Sequence, residues 1–458
     1  MALGIIGIVL AFAVLLFFTF KNISTLILTV LATFIVAIFN GLPVVDSFTT
    51  TYMGGVASLV TTLFPLILLG SILGKIYTNT GAAASIANTF LRVFVDPAKG
   101  EKKIWAATGV LIIITCLFQF GGIDSFVVLF ATFPMVVTMF KRLNLPRKYI
   151  PGMLMCGVGV GASAGAPTVH NVLPMTLLGT TSTAAAIPGI LAFLIIEFGS
   201  WIMISTLIVR AVRRGEVYNE GEMGDMGNDS DSNRPQPHFV VALLPLAVVF
   251  ILFSIVKLPV AAALIAGIVL ALIMMGRNIS LPDLWPTMPK RTKAQQIVTT
   301  LNDGAVMSTK AVMEISVVGG LATVAATTPA FQALSGGLMS LPIHPLLLVM
   351  IAVFILVAIT SAPPAGLSII IPIIATALIE QPGALGISAT PEAVHRICSI
   401  ACLTFETLPF NGMIVIALDL AKIKHKEGYF PMFMASVFFP IVASVVATVL
   451  LIAFPGLA

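Results

Sequence analysis

Charge is scarce in this sequence. Lys, Arg, Asp and Glu make up 9% of its 458 residues, against roughly 25% in soluble domains. Hydrophobic residues make up 58%. No soluble fold hides that much apolar surface from water, so the composition points to an integral membrane protein. Cysteine is scarce too. Cys116, Cys156, Cys398 and Cys402 all fall in apolar segments and form no C-x-x-C or Cys/His set. That pattern excludes a disulfide scaffold and a structural zinc site, and no metal or organic cofactor is expected. Nor is there a continuous basic face. Most of the 24 basic residues lie in short loops between apolar runs, so no nucleic-acid partner is expected. The apolar stretch from Leu3 to Phe20 has no basic region ahead of it, and reads as an uncleaved first span rather than a signal peptide.

What the chain does have is a series of apolar runs near the ~20 residues a spanning helix needs. Clear spans are expected at 2–20, 23–41, 57–77, 184–210, 238–256, 258–276, 307–328 and 430–455. Four further runs, 104–140, 149–180, 343–380 and 392–420, are interrupted by polar, Gly or Pro residues. Basic residues gather in one set of loops, among them Lys102, Lys103, Arg142, Lys148, Arg213, Arg214 and Lys422. The opposite set carries only Lys257 and Arg396. By the positive-inside rule the first set is cytoplasmic and both termini lie outside a plasma membrane. Segment 214–237, with six acidic residues and no apolar periodicity, reads as a cytoplasmic acidic linker.

The linker divides the chain into halves of similar order. Thr50, Thr51, Gly55 and Gly70 recur at one spacing as Thr299, Thr300, Gly304 and Gly319. Segment 81–93 matches 329–341 in position and small-residue content, and Asn171 and Asn411 occupy equivalent places. If the interrupted pairs 104–140 and 343–380 are re-entrant, each half crosses the membrane an odd number of times. The halves are then inverted repeats, a transporter signature. Arms of 13–19 residues reach roughly 20–28 Å, short of a comfortable span, which favours re-entrant hairpins over ordinary turns between full spans. The fold class expected is therefore an all-α integral membrane protein of two inverted repeats. Each has a re-entrant helical hairpin and a discontinuous transmembrane helix.

The interruptions carry the polar chemistry. The first hairpin breaks at 120–125, the second at 360–368. The helix after each break points its free N–H groups inward, which suits an anion. Ser125, Ser361 and Ser368 add hydroxyls there. In the broken helices, Pro167 and Pro409 each remove a donor. Gly157, Gly161 and Gly165 fit either unwinding or close helix contact. Thr168, Asn171, Thr407 and Asn411 stand at these breaks as candidate substrate ligands.

Ionisable groups at membrane depth are rare and often functional. Glu406, in the second break, is the first candidate for carrying a coupling proton, and Asp124, at the first hairpin tip, is the second. His170 can donate to a carboxylate or carry a proton. Glu197 reads as buried and neutral. Lys310 and Glu314, four apart on one helix, read as a self-compensating pair. The run Gly161-Ala162-Ser163-Ala164-Gly165 matches G-x-S-x-G, but that motif needs a strand–turn–helix elbow. An intramembrane serine hydrolase is therefore a remote alternative. A channel is another, disfavoured because no ring-forming charged filter is visible. No enzyme is expected.

The stretches GASAGAPTVHNVLP (161–174), LNDGAVMSTKAVMEISVVGG (301–320) and ETLPFNGMIVIAL (406–418), with HKEGY at 425–429, resemble the gluconate:proton symporter family. That family carries gluconate, related sugar acids, D-serine and 3-hydroxybutyrate. The resemblance implies the ion-transporter superfamily architecture: a homodimer working by an elevator mechanism in, by the same resemblance, a bacterial inner membrane. Residues 1–95 and 238–341 would be scaffold. Residues 104–213 and 343–458 would be transport domain. The sequence departs from the family at Phe405-Glu406 and Phe410-Asn411, where relatives tend to have an Asp and a His, making the pocket more apolar. The expected function is proton-coupled uptake of a small organic monocarboxylate, such as 3-hydroxybutyrate or a sugar acid. The alternative is a sodium-coupled di- or tricarboxylate carrier, with carbonyls of 161–167 on the sodium.

Overall fold

The architecture follows from a computed structural model. It describes residues 2–19, 23–123, 125–219, 236–281, 291–360, 363–381, 383–409 and 411–458. Among these residues all regular structure is helical. In a bilayer core each backbone polar group must be satisfied within its own segment, which is why apolar runs of this length become helices.

Six of the described helices are long and apolar enough to cross a membrane: Val44–Asn79, Glu101–Phe120, Ala186–Arg213, Val260–Asn278, Lys293–Thr327 and His425–Ala453. Shorter apolar helices form at Ala2–Thr19, Thr25–Phe39 and Phe239–Ile255. The expected runs 57–77 and 307–328 are thus the apolar C-terminal parts of longer helices. Hydropathy marks the part inside lipid. Capping marks the helix end: Thr292 opens Lys293–Thr327 through a reciprocal pair of bonds with Gln295. Large apolar side chains such as Ile27, Ile38 and Ile273 stand exposed on the outer faces, as a bilayer solvent allows.

Val44–Asn79 and Lys293–Thr327 pack against one another along most of their length. Gly55 lies against Gly320 and Thr323, Leu59 against Gly319, and Ile72 against Gly304. Asn79 Nδ2 donates to Thr300 Oγ1 at 3.0 Å. Contacts advance along one helix as they retreat along the other, so the two run antiparallel. Glycines set the close approach: an added Cβ at Gly319 would come within 2.1 Å of Leu59.

The interrupted runs resolve into separate pieces. Segment 104–140 becomes the packed pair Glu101–Phe120 and Ser125–Arg142. Its first arm is longer than expected. At 20 residues it reaches ~30 Å, because the charged turn Glu101-Lys102-Lys103 joins the helix. The tip glycines Gly121 and Gly122 lie against Leu246 and Val249, midway along Phe239–Ile255, and against Leu264, in the first turns of Val260–Asn278. Segment 343–380 gives Pro345–Thr360 and Pro363–Ile374, extended to Ile379. Segment 149–180 gives Ile150–Met155, a 3-10 turn Val158–Ala162 and Val169–Leu178. Segment 392–420 gives Pro391–Ala401 and Gly412–Leu420.

The acidic linker lies outside the described residues from 220 to 235. Its two ends are anchored. Glu216 meets Lys148 at 2.5 Å and Arg214 at 3.0 Å, and these cations, Lys148 foremost, hold its carboxyl below the usual carboxylate range. Pro237 O accepts from Ser85 Oγ at 2.6 Å.

Candidate functional site

The two broken helices bring their interruptions together. In the first, Gly157 (φ +108°) and Gly165 (φ +78°) adopt left-handed backbone, which a side chain would strain. Gly161 serves contact instead: an added Cβ would meet Leu403 at 2.8 Å and His170 at 3.1 Å. Both readings of the glycine pattern therefore hold, at different positions.

His170 Nε2 lies 3.0 Å from Glu406 Oε2. The bond joins the first break to the second, and each side chain keeps partial exposure, 14% and 23%. Thr168 precedes the helix Val169–Leu178, whose first N–H groups have no intrahelical partners. Its Oγ1 is buried without a hydrogen-bond partner among the described residues. A buried hydroxyl beside free amides can receive an anion. At the hairpin tip, Ser125 Oγ lies 3.5 Å from Gln119 Oε1, and Gln119 Nε2 donates to Gly157 O at 3.0 Å. Phe405 stacks edge-on against Phe354 at 5.6 Å, an apolar wall next to Glu406.

Other candidates have different duties. Asn171 is fully buried. It donates to Ala166 O and Ser182 O, and its Oδ1 accepts from Arg396 and from the ring of His395. The amide is spent inside the protein, so it holds the break together rather than facing a ligand. Asn411 Oδ1 accepts from Met413 N at 2.8 Å and caps Gly412–Leu420. Thr407 Oγ1 is bound to Ser436 and buried. Ser368 donates to Pro364 O while lining a cleft of about 600 Å³ with Thr323, Gln332 and Thr376. Asp124, Ser361 and Phe410 lie outside the described residues, as does the Lys310 side chain.

Arg396 overturns an expectation. The charge bias places it in an outer loop. It is completely buried on Pro391–Ala401, bonded to Ala162 O in the first break and to Ala184 O in the turn before Ala186–Arg213. The signal is in the sequence: Arg396 sits inside the apolar run 392–420, where a charge needs partners within the protein. Gln119 and Ser436 gave no signal at all, because their partners lie on other helices. Glu197 is buried, with Oε1 accepting from Gly159 N at 2.8 Å. Ser163 donates to Ala164 O. The ring nitrogens of His395 are held by Thr180 and Asn171. Three of the carbonyls at 161–167 accept hydrogen bonds from the protein: Ala162 O from Arg396, Gly165 O from Ser254 and Ala166 O from Asn171.

No family model matches the chain. Over 467 aligned residues it is 26% identical to a Bacillus subtilis (strain 168) protein described as the uncharacterized transporter YxjC, covering 93% of this chain and 94% of that one. A solved structure similar to it is that of the Alcanivorax borkumensis YdaH transporter, at TM-score 0.44 and 14% identity over 90% of this chain and 89% of that one. The proteins it resembles are transporters, not enzymes. The chain is an all-helical, multi-span membrane protein, similar to a transporter along nearly its whole length.

Proposed function

We propose that this chain is a secondary transporter that takes up a small organic monocarboxylate together with a proton, by alternating access between two inverted halves. The observation that carries the reading is the His170–Glu406 hydrogen bond between the two broken helices. A carboxyl and an imidazole at 3.0 Å can hold or release a proton without a permanent charge. The substrate carboxylate would take the unpartnered Thr168 hydroxyl and the helix start at Val169, with Ser125 and Ser368 as further hydroxyls. Protonation of Glu406 would free His170 to donate to the incoming anion, which couples the two.

The antiparallel pairing of Val44–Asn79 with Lys293–Thr327 supports inversion, since these helices hold equivalent places in the two halves. The hairpin tip packed against Leu246 and Leu264 supports a re-entrant pair. The resemblance to the gluconate:proton symporter family, with its homodimer and elevator motion, remains part of this reading. The Phe405–Phe354 wall favours a short, sparsely hydroxylated acid over a polyol acid.

The test is uptake into sodium-free proteoliposomes under an inward proton gradient, with 3-hydroxybutyrate, lactate, gluconate, D-serine and citrate offered separately. We expect accumulation of a short monocarboxylate, with gluconate a weak competitor, and loss of accumulation in Glu406→Gln. Uptake that begins only on adding sodium would overturn proton coupling. Gluconate competing as well as 3-hydroxybutyrate would overturn the substrate assignment.

A further inference from the structure

Arg396 is a fully buried cation, and a guanidinium keeps its charge in any protein environment. Among the described residues no carboxylate pairs with it. Four neutral oxygens surround it instead. Nε donates to Ala184 O at 2.9 Å, and Nη2 to the same oxygen at 2.7 Å and to Ser182 O at 3.4 Å. Nη1 donates to Ala162 O at 3.0 Å and to Asn171 Oδ1 at 3.2 Å. All five donors are used.

The cage is built for its occupant. Ala185 takes a left-handed φ of +42° without being glycine, a strained turn beside the carbonyl that Arg396 uses twice. Gly189 leaves the space: a Cβ there would come within 2.9 Å of Arg396 Cδ and Nε and 3.1 Å of Ala162 O. Asn171 is oriented by its own bonds to Ala166 O and Ser182 O. His395, the adjacent titratable group, donates from Nε2 to Asn171 Oδ1 and accepts at Nδ1 from Thr180.

Carbonyls outside regular helix are the ligands that transporters and channels use to replace the water around an alkali cation. Here one carbonyl of the first break, Ala162 O, two of the turn between Val169–Leu178 and Ala186–Arg213, Ser182 O and Ala184 O, and the Asn171 amide oxygen close on a side chain. We infer that the oxygen cage of Ala162, Asn171, Ser182 and Ala184 is a monovalent-cation site whose occupant is the chain's own Arg396 guanidinium, so that the first break is locked without a diffusible ion. The inference is independent of the His170–Glu406 pair, and it assigns the cage no part in proton movement.

Thermal unfolding of the purified full chain in detergent tests it, in sodium, potassium and choline chloride at equal ionic strength, with and without ethylguanidinium below denaturing concentrations. The wild-type midpoint should not distinguish sodium from choline. Arg396→Ala should unfold at lower temperature in choline and recover much of the loss in millimolar sodium or ethylguanidinium, whereas Asn411→Ala, altered outside the cage, should gain nothing from either. A wild-type midpoint raised specifically by sodium, with the rise lost in the cage variant Asn171→Leu but kept in Thr168→Val, would overturn the inference by showing a diffusible ion in the cage, and this arm decides even where Arg396→Ala fails to fold. An Arg396→Ala protein that folds and responds to no cation would overturn it too. Because the readout is stability, either result stands apart from the outcome of the uptake assay.

Discussion

Glu406 has one hydrogen-bond partner among the described residues, His170, and both side chains keep some exposure. A neutral amide at 406 can still bond to the ring but cannot take up a proton. Glu406→Gln should therefore abolish gradient-driven accumulation while leaving substrate counterflow intact, as radiolabel exchange would show. Loss of both together would mean that the residue is structural. Thr168 makes a different prediction. If its unpartnered hydroxyl binds the substrate carboxylate, Thr168→Val should raise the KM of uptake roughly ten- to a hundredfold, the worth of one bond to a charged group. The fold should be undisturbed. For Asn171 the expectation reverses. Asn171→Leu removes an acceptor from Arg396 and His395 and should cost about 1–3 kcal/mol of stability, seen as a lower unfolding midpoint, with KM unchanged in the folded fraction. A normal midpoint with a raised KM would return Asn171 to the substrate site.

The breaks themselves were legible, because Gly, Pro and polar residues inside an apolar run have few places to go. What each polar residue does at a break was not. Asn171 and Asn411 look alike in sequence, yet one is consumed by partners more than 200 positions away and the other caps its own helix. Only packing separates them. Arg396 escaped for a related reason: charge bias sorts loops, and a charge solvated by carbonyls mimics a loop residue. Hydropathy falls short of helix length where charged turns continue a helix past its apolar part, as at Glu101-Lys102-Lys103. The left-handed backbone at Gly165 gives this scale its prediction. Gly165→Ala should lose about 1–2 kcal/mol from backbone conformation alone, before any clash with Ser254, and the unfolding midpoint should report it. An unchanged midpoint would mean that the break relaxes into ordinary helix.

For the molecule as a whole, the proposed elevator divides a fixed scaffold from a moving transport domain. Asn79 and Thr300 touch across the antiparallel pair, and in the proposed elevator both belong to the scaffold. A disulfide between Asn79→Cys and Thr300→Cys should leave uptake at its starting rate. Bridging Gln332→Cys to Thr376→Cys across the 600 Å³ cleft should stop it, because in the proposed elevator that cleft lies between scaffold and hairpin. Arrest by the first bridge would contradict the division of the chain into those two bodies. The central claim, that substrate and proton move together through the His170–Glu406 link, is tested most directly inside the vesicle. Sodium-free proteoliposomes loaded with a pH-sensitive dye, at equal pH on both sides, would receive 3-hydroxybutyrate from outside. The account predicts internal acidification that follows substrate entry in the wild type and is absent in Glu406→Gln. Substrate entry with no change in internal pH, or the same acidification in the variant, would contradict it.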